Sequence, residues 1–132
     1  MDNPGVYTLA ALTITPDMPR SLLKPQEGLA GMKAVTIDVD FKRGTGGTKC
    51  IAIIATTFDE GATWRHIARF DFTTANRVAH CTLTKGSKAV TNYADLAAEG
   101  VNDGILGDQL AVLIETDGDY GNTQLAVNAS VN

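Results

Sequence analysis

One stretch of the sequence alternates between apolar and polar residues with a period of two. Within Lys33–Lys42, every second residue from Val35 onward is apolar, namely Val35, Ile37, Val39 and Phe41. Successive side chains of a β-strand point to opposite faces of its sheet, so this pattern predicts a strand with one dry face and one wet face. A sheet with one apolar face must cover it with a second layer. The alternation therefore favours a layered β-structure.

Further strand signals run along the whole chain, as apolar and β-branched runs separated by turns rich in Gly, Pro, Asp and Asn. The other predicted strands are Val6–Ile14, Lys49–Thr57, Thr63–Phe72, Asn76–Thr84, Gln109–Thr116 and Thr123–Val131. We expect an all-β, single-domain antiparallel β-sandwich of about seven or eight strands, with jelly-roll-like and immunoglobulin-like topologies both open.

Two connecting segments carry more specific expectations. The sequence admits at most one short helix, for which Tyr93–Gly100, closed by Gly100, is the candidate. The turn Asp117–Asn122 is predicted to join the last two strands as a hairpin.

The 132 residues fit one domain, spanning 1–132, with a long irregular connection at about residues 15–32. Long connections within compact domains often make contacts. Leu22, Leu23 and Leu29 in this segment are therefore possible subunit contacts. The alternative is that these leucines cover one end of their own sandwich.

Charge and composition exclude several classes of function. The net charge is −4 and the basic residues are scattered, so direct binding of nucleic acid is not expected. The first residues lack the pattern of a signal peptide, and no apolar run reaches membrane-spanning length, so we expect synthesis in the cytoplasm and no membrane contact. Cys50 and Cys81 are expected to be free thiols, although a disulfide remains an alternative.

The most distinctive local motif is Thr57–Trp64, with the letters TFDEGATW. It resembles the Asp box of sialidases, which lies away from their catalytic centre. An aspartate in such a turn can accept backbone N–H bonds, glycine supplies a positive φ, and tryptophan can cover the turn. We interpret it as a structural hairpin made by Thr57, Asp59, Gly61, Thr63 and Trp64.

Other polar groups have weaker chemical interpretations. Asp117, Asp119 and Asn122 resemble part of a calcium loop but lack the glycine and distal glutamate of an EF-hand. Asp38 and Asp40 share the wet face of a strand, where an acid–base pair is not expected. The sequence thus predicts no catalytic residue, no metal site, no cofactor and no enzymatic activity.

Two segments together resemble a group of small structural proteins of tailed bacteriophages and prophages. They are 49–74, which contains the Asp-box-like hairpin, and 103–132, which contains IleLeuGlyAspGlnLeu and the GlyAspTyrGlyAsnThr turn. Two positions depart from that pattern: Glu60 replaces a glycine, and Ala111 stands where a basic residue is frequent.

The resemblance implies a subunit of the virion. A head-associated decoration, cement or head-completion protein is expected first, and a tail or connector component is the alternative. The implied partners are capsid or tail proteins and further copies of the chain, as a homo-oligomer. A carbohydrate-binding adhesion module is a third possibility, and its candidate sugar-stacking residues are Tyr7, Tyr93 and Tyr120.

Overall fold

The computed structural model describes residues 4–14 and 19–132, and within them the chain forms eleven strands and no helix. Seven strands have eight to ten residues, and four have only two. In chain order they are β1 Gly5–Ile14, β2 Ser21–Leu22, β3 Ala34–Lys42, β4 Thr45–Gly46, β5 Lys49–Thr56, β6 Arg65–Phe72, β7 Arg77–Thr84, β8 Gly100–Val101, β9 Leu110–Asp117, β10 Tyr120–Gly121 and β11 Thr123–Val131. The expected all-β class is confirmed.

The strands form two main antiparallel sheets and a small ribbon. The first sheet has the order β1-β11-β3-β7, the second has the order β2-β9-β5-β6-β8, and β10 pairs with β4. Pairing is nested: β1 joins β11, β2 joins β9, β3 joins β7, and β5 joins β6. This is the order of a long hairpin rolled into two sheets, as in a jelly roll, and differs from that of an immunoglobulin domain.

The core lies between the two sheets, and the alternation of β3 builds one of its walls. Its four apolar side chains are at most 1% exposed. At one end of the core the ring of Phe41 stacks on Phe72 of the opposite sheet, with centroids 4.9 Å apart, and meets the edge of Tyr120 at 5.8 Å. Aromatic contact of this kind adds to the area that the rings bury.

The hairpin predicted for Asp117–Asn122 is wrong. β9 belongs to the five-stranded sheet and β11 to the four-stranded sheet, so the segment crosses from one layer to the other. Tyr120 is 2% exposed, and its hydroxyl donates to the carbonyl oxygen of Thr73 at 2.6 Å. Gly, Asp and Asn suit a corner between sheets as well as a hairpin, because both need unusual backbone angles.

The helix predicted for Tyr93–Gly100 is also wrong. The N–H of Leu96 donates to Nδ1 of His66 at 3.1 Å instead of to a carbonyl four residues earlier. Gly100 pairs with Arg69 as part of the short strand β8. The segment is therefore held in an irregular path by the side chains and the strand edge that it covers.

Both cysteines are free thiols, Cys50 buried and Cys81 half-buried. Burial raises the pKa of Cys50 to about 12 and is the main cause that raises the pKa of Cys81 to about 11. Both side chains thus act as small apolar groups. In the described part of the chain, no helix has the length and hydropathy of a membrane span.

Replacing Phe41 tests how far the stacked rings hold the two sheets together. We expect Phe41→Ala to lower the free energy of unfolding by about 3–5 kcal/mol, since it leaves a cavity between the layers. Phe58→Ala is the control: Phe58 is 60% exposed, and its loss should change stability by less than about 0.5 kcal/mol. Urea unfolding measures both, and equal effects would contradict this account of the core.

Candidate functional site

The hairpin between β5 and β6 is organised around the buried hydroxyl of Thr57. Its Oγ1 accepts the N–H of Gly61 at 2.9 Å. The same oxygen lies 2.8 Å from two possible acceptors, the carbonyl oxygen of Thr63 and Oδ1 of Asp59. One fully buried side chain therefore joins both arms of the turn.

Asp59 closes the hairpin from the solvent side. Its Oδ1 accepts the N–H of Thr63 at 2.9 Å, and its Oδ2 accepts the Thr63 hydroxyl at 2.6 Å. These hydrogen bonds, the shortest coming from the Thr63 hydroxyl, lower the pKa of Asp59 to about 2. Asp59 is therefore used as an acceptor in the turn, in the role that the sequence motif suggested.

The backbone of the turn explains the position of its glycine. Gly61 has a φ of 93°, and the preceding Glu60 has a φ of 59°. A side chain is strained in this left-handed region, so Glu60 adopts a conformation that glycine adopts more easily. A β-carbon at position 61 would lie 3.6 Å from the indole of Trp64, which is itself half-buried.

We predict that the Asp59 contacts make the protein sensitive to acid. Because the folded-state pKa is lowered from about 3.8 to about 2, the stabilisation is complete above the higher value and is lost as the pH falls toward the lower one. Asp59→Asn should reduce this loss between the two values. Acid unfolding followed by circular dichroism measures it, with Asp117→Asn controlling for the loss of one negative charge. An unchanged acid profile in Asp59→Asn would contradict the prediction.

A second polar cluster attaches the long segment 88–102 to β6. His66 is 4% exposed, and its Nδ1 accepts the Leu96 N–H described above. The hydroxyl of Tyr93 accepts the backbone N–H of His66 at 2.7 Å and donates to Oδ1 of Asp95 at 2.7 Å. The carbonyl of His66 accepts from the side-chain amide of Asn102 at 3.3 Å.

The surroundings of His66 favour its neutral form. Burial is the main cause that lowers its pKa, and Arg20 and Arg69 act in the same direction. Asp95, with Oδ1 at 3.8 Å from Nε2, acts in the opposite direction. A neutral imidazole leaves Nδ1 free to accept, as the contact with Leu96 requires.

Acidification should therefore loosen segment 88–102. Because the folded-state pKa of His66 is lowered from 6.5, its contribution is complete above that value and is lost as the pH falls through the folded-state pKa. Protonation would give Nδ1 a hydrogen facing the Leu96 N–H.

Hydrogen exchange of the Leu96 amide, corrected for the intrinsic effect of pH, measures this loosening. We expect faster exchange as the pH falls below 6.5 and through the lowered pKa of His66. His66→Gln should remove the pH dependence, whereas His80→Gln, at an exposed position, should retain it. Constant protection of Leu96 across this range would contradict the prediction.

Next to this cluster, a network of charges joins the same segment to β6 and β7. Arg77 donates to both carboxylate oxygens of Glu99, at 2.6 and 3.0 Å, and to the carbonyl of Asp71 at 3.0 Å. Glu99 also accepts the N–H of Asp71 at 3.0 Å. The hydrogen bond from Arg77 lowers the pKa of Glu99. These side chains are engaged in holding a loop against a sheet edge.

The remaining carboxylates singled out from the sequence are not brought together. Asp38 and Asp40 lie on the outer face of β3, and the nearest cation to Asp40 is Lys42, with Nζ 3.8 Å from Oδ2. Asp117 and Asp119 are exposed at the corner between the sheets. Across residues 4–14 and 19–132, no three His, Cys, Asp or Glu side chains form a group that could hold a metal.

The three leucines of the long connection have different surroundings. Leu29 is fully buried in the core, and Leu23 is partly buried against it. Leu22, on the edge strand β2, is 42% exposed. The part of the connection at residues 15–18 lies outside the described residues. Of the predicted contact residues, Leu22 is the one that offers an exposed side chain to a neighbour.

The candidate sugar-stacking tyrosines are largely occupied. Tyr120 is buried in the core, and the ring of Tyr93 lies beneath the guanidinium of Arg65 at 4.9 Å. Tyr7 is half-buried and packs against the core. A flat exposed aromatic platform, which sugar binding typically uses, is not formed by these three residues.

The sheet edges are a surface that the sequence motifs did not reveal. The five-stranded sheet ends in the two short strands β2 and β8. Loop segments next to these strands form further backbone hydrogen bonds along the same edges. In the four-stranded sheet, no described residue pairs with the outer side of β1. The ten residues of β1 include no charged side chain. That signal was readable in the sequence, but the position of β1 at an edge was not.

Comparison of the chain with protein-family models, curated proteins and solved structures gave no match. Its function therefore has to be inferred from its own residues.

Proposed function

We propose that this chain is a non-enzymatic structural subunit of a tailed-phage particle, acting through protein–protein contacts. Its preferred place is on the head, as a decoration, cement or head-completion protein. The observation that carries the proposal is the use of the polar side chains in the long loops: they fasten the loops to the sheets, and they leave the β1 strand edge as an available surface.

Carboxylate and imidazole groups, which enzymes commonly use, take part in holding the loops in place. Asp59 accepts both polar hydrogens of Thr63, His66 accepts from Leu96, and Glu99 is paired with Arg77. Buried side-chain nitrogen and oxygen atoms within the described residues all have hydrogen-bond partners. Groups satisfied in this way stabilise a rigid module, which suits a subunit that has to hold its shape in a lattice.

The exposed apolar side chains lie on edges and loops of the module. Val6 on β1 is 73% exposed, Val78 on β7 is 62% exposed, and Val90 in the loop after β7 is fully exposed. Phe58 at the tip of the hairpin is 60% exposed. Contacts distributed over several sides of a domain suit a subunit with more than one neighbour better than a module with one ligand pocket.

Of the two departures from the phage group, Ala111 and Glu60, the first bears on the contacts that this subunit can make. Ala111 on β9 is 1% exposed and pairs with Ala55 in the middle of the five-stranded sheet. A basic side chain is not presented there, so a charge contact at this position is not part of the proposal. Glu60 keeps the left-handed turn that glycine would otherwise supply.

Mass spectrometry of purified particles tests the proposal. The particles of the phage or prophage that encodes the chain should contain it at a fixed stoichiometry to the major capsid protein. Heads separated from tails should retain it, and deletion of its gene should give heads that open more easily under osmotic shock. Its presence in tails alone would favour the tail or connector assignment, and its absence from complete particles would overturn a structural role.

A further inference from the structure

We propose that two copies of this chain associate through their β1 strands, which pair antiparallel across a two-fold axis and join the four-stranded sheets into one. This inference rests on the proposed structural function and names one of its partners, a second copy of the chain. It starts from the contrast between the edge at β1 and the other three sheet edges.

Both edges of the five-stranded sheet are paired within the same chain. Along β9, the backbone of β2 and the residues after it forms hydrogen bonds as far as Leu29, whose N–H donates to the carbonyl of Asp108 at 3.0 Å. Along β6, strand β8 pairs with Ala68 and Arg69, and Asn102 donates its N–H to the carbonyl of Ile67 at 2.8 Å. Neither strand presents a long open row of backbone groups.

The β7 edge of the four-stranded sheet is partly occupied and carries charge. The N–H of Thr84 donates to the carboxylate of Asp103 at 2.8 Å, and Lys85 forms a bridge with Gly104. Arg77 begins the strand and is paired with Glu99. A charged residue on an edge strand is a common means of preventing association.

The β1 edge carries no charge, and its backbone register is interrupted by one bulge. The register with β11 shifts between Thr8 and Ala10, and from Ala10 to Ile14 the strand is regular. These five residues, Ala-Ala-Leu-Thr-Ile, contain no proline, glycine or charge. In an antiparallel ladder about half of the backbone N–H and C=O groups of an edge strand point away from the sheet and can accept a new strand.

The charge pattern indicates a second copy as the occupant. Neither β1 nor its neighbour β11 has a charged residue, although 20% of the chain is charged. Two β1 strands therefore meet without like-charge repulsion, and the charges of a chain with net charge −4 stay outside the contact. Antiparallel pairing of a strand with its own copy also satisfies a closed two-fold interface.

The surroundings of β1 fit the approach of a second copy. The outer-face residues of the regular part, Ala11 and Thr13, are small and exposed. β1 also packs on β9 of the other sheet, which fixes its position in the sandwich.

Sedimentation equilibrium of the purified full chain tests the pairing. The wild type should show a mass of twice 13.9 kDa that falls toward the monomer on dilution. Ala11→Lys with Thr13→Lys should give the monomer mass at all concentrations, because each lysine would face charge and bulk from the second strand. Val78→Lys with His80→Lys places the same charges on β7 and should retain the dimer.

If the lysine variant does not fold, hydrogen exchange of the wild type tests the pairing without any substitution. The amides of Ala10–Ile14 that point away from β11 should gain protection as the protein concentration rises, and those of β7 should not. A wild type that is monomeric at every concentration would overturn the proposal. A dimer that is broken by the β7 variant and kept by the β1 variant would do the same.

The test separates this inference from the function on which it rests. A monomeric chain that is nevertheless present in phage heads would remove the β1 pairing and leave the structural role. A dimer through β1 that is absent from particles would leave the pairing and remove the role.

Discussion

The contact between Phe41 and Phe72 holds the two sheets at a fixed separation, and the rest of the structure depends on that separation. Phe41 comes from the four-stranded sheet and Phe72 from the five-stranded sheet, and their rings are nearly parallel, at 11°. Tyr120, in the corner segment between the sheets, closes the stack from its edge. Since the layers cannot slide without breaking this contact, the loops that join them have fixed end points.

Because the ends of the loops are fixed, many polar side chains can hold the loops against the sheets by hydrogen bonds. Segment 88–102 is irregular, yet it follows β6 through His66, Asn102 and Glu99, each of which bonds a backbone or side-chain group of the segment or the strand. These ties supply the hydrogen bonds that a regular neighbouring strand would have supplied. Among the described residues, every buried side-chain nitrogen and oxygen atom accordingly has a hydrogen-bond partner.

The sequence predicted the regular parts of this fold well, for a physical reason. On β3 the alternation follows directly from one buried and one wet face, and the continuous apolar run of β5 follows from burial on both sides. The hairpin at Asp59 was readable because local hydrogen bonds need particular residues at particular spacings. Each of these signals is contained in a short window of the chain.

What the sequence did not predict depends on partners that are distant along the chain. The corner at Tyr120 looked like a hairpin, because nothing local states that β9 and β11 belong to different sheets. The segment before Gly100 does not form the expected helix, because Leu96 instead bonds His66, which is 30 residues away in sequence. The tie formed by Tyr93 and the edge position of β1 were missed for the same reason.

The place of β11 has a consequence for the order of folding. This strand follows all the others in sequence, yet it lies between β1 and β3 and pairs with both. A nascent chain that ends before Thr123 lacks the strand that bridges β1 and β3, so its first strand has no partner in that sheet. Pairings of this kind close long loops and slow folding. Until this nine-residue strand is available, β1 lacks its native partner in the sheet, and unpaired strands of this kind favour aggregation.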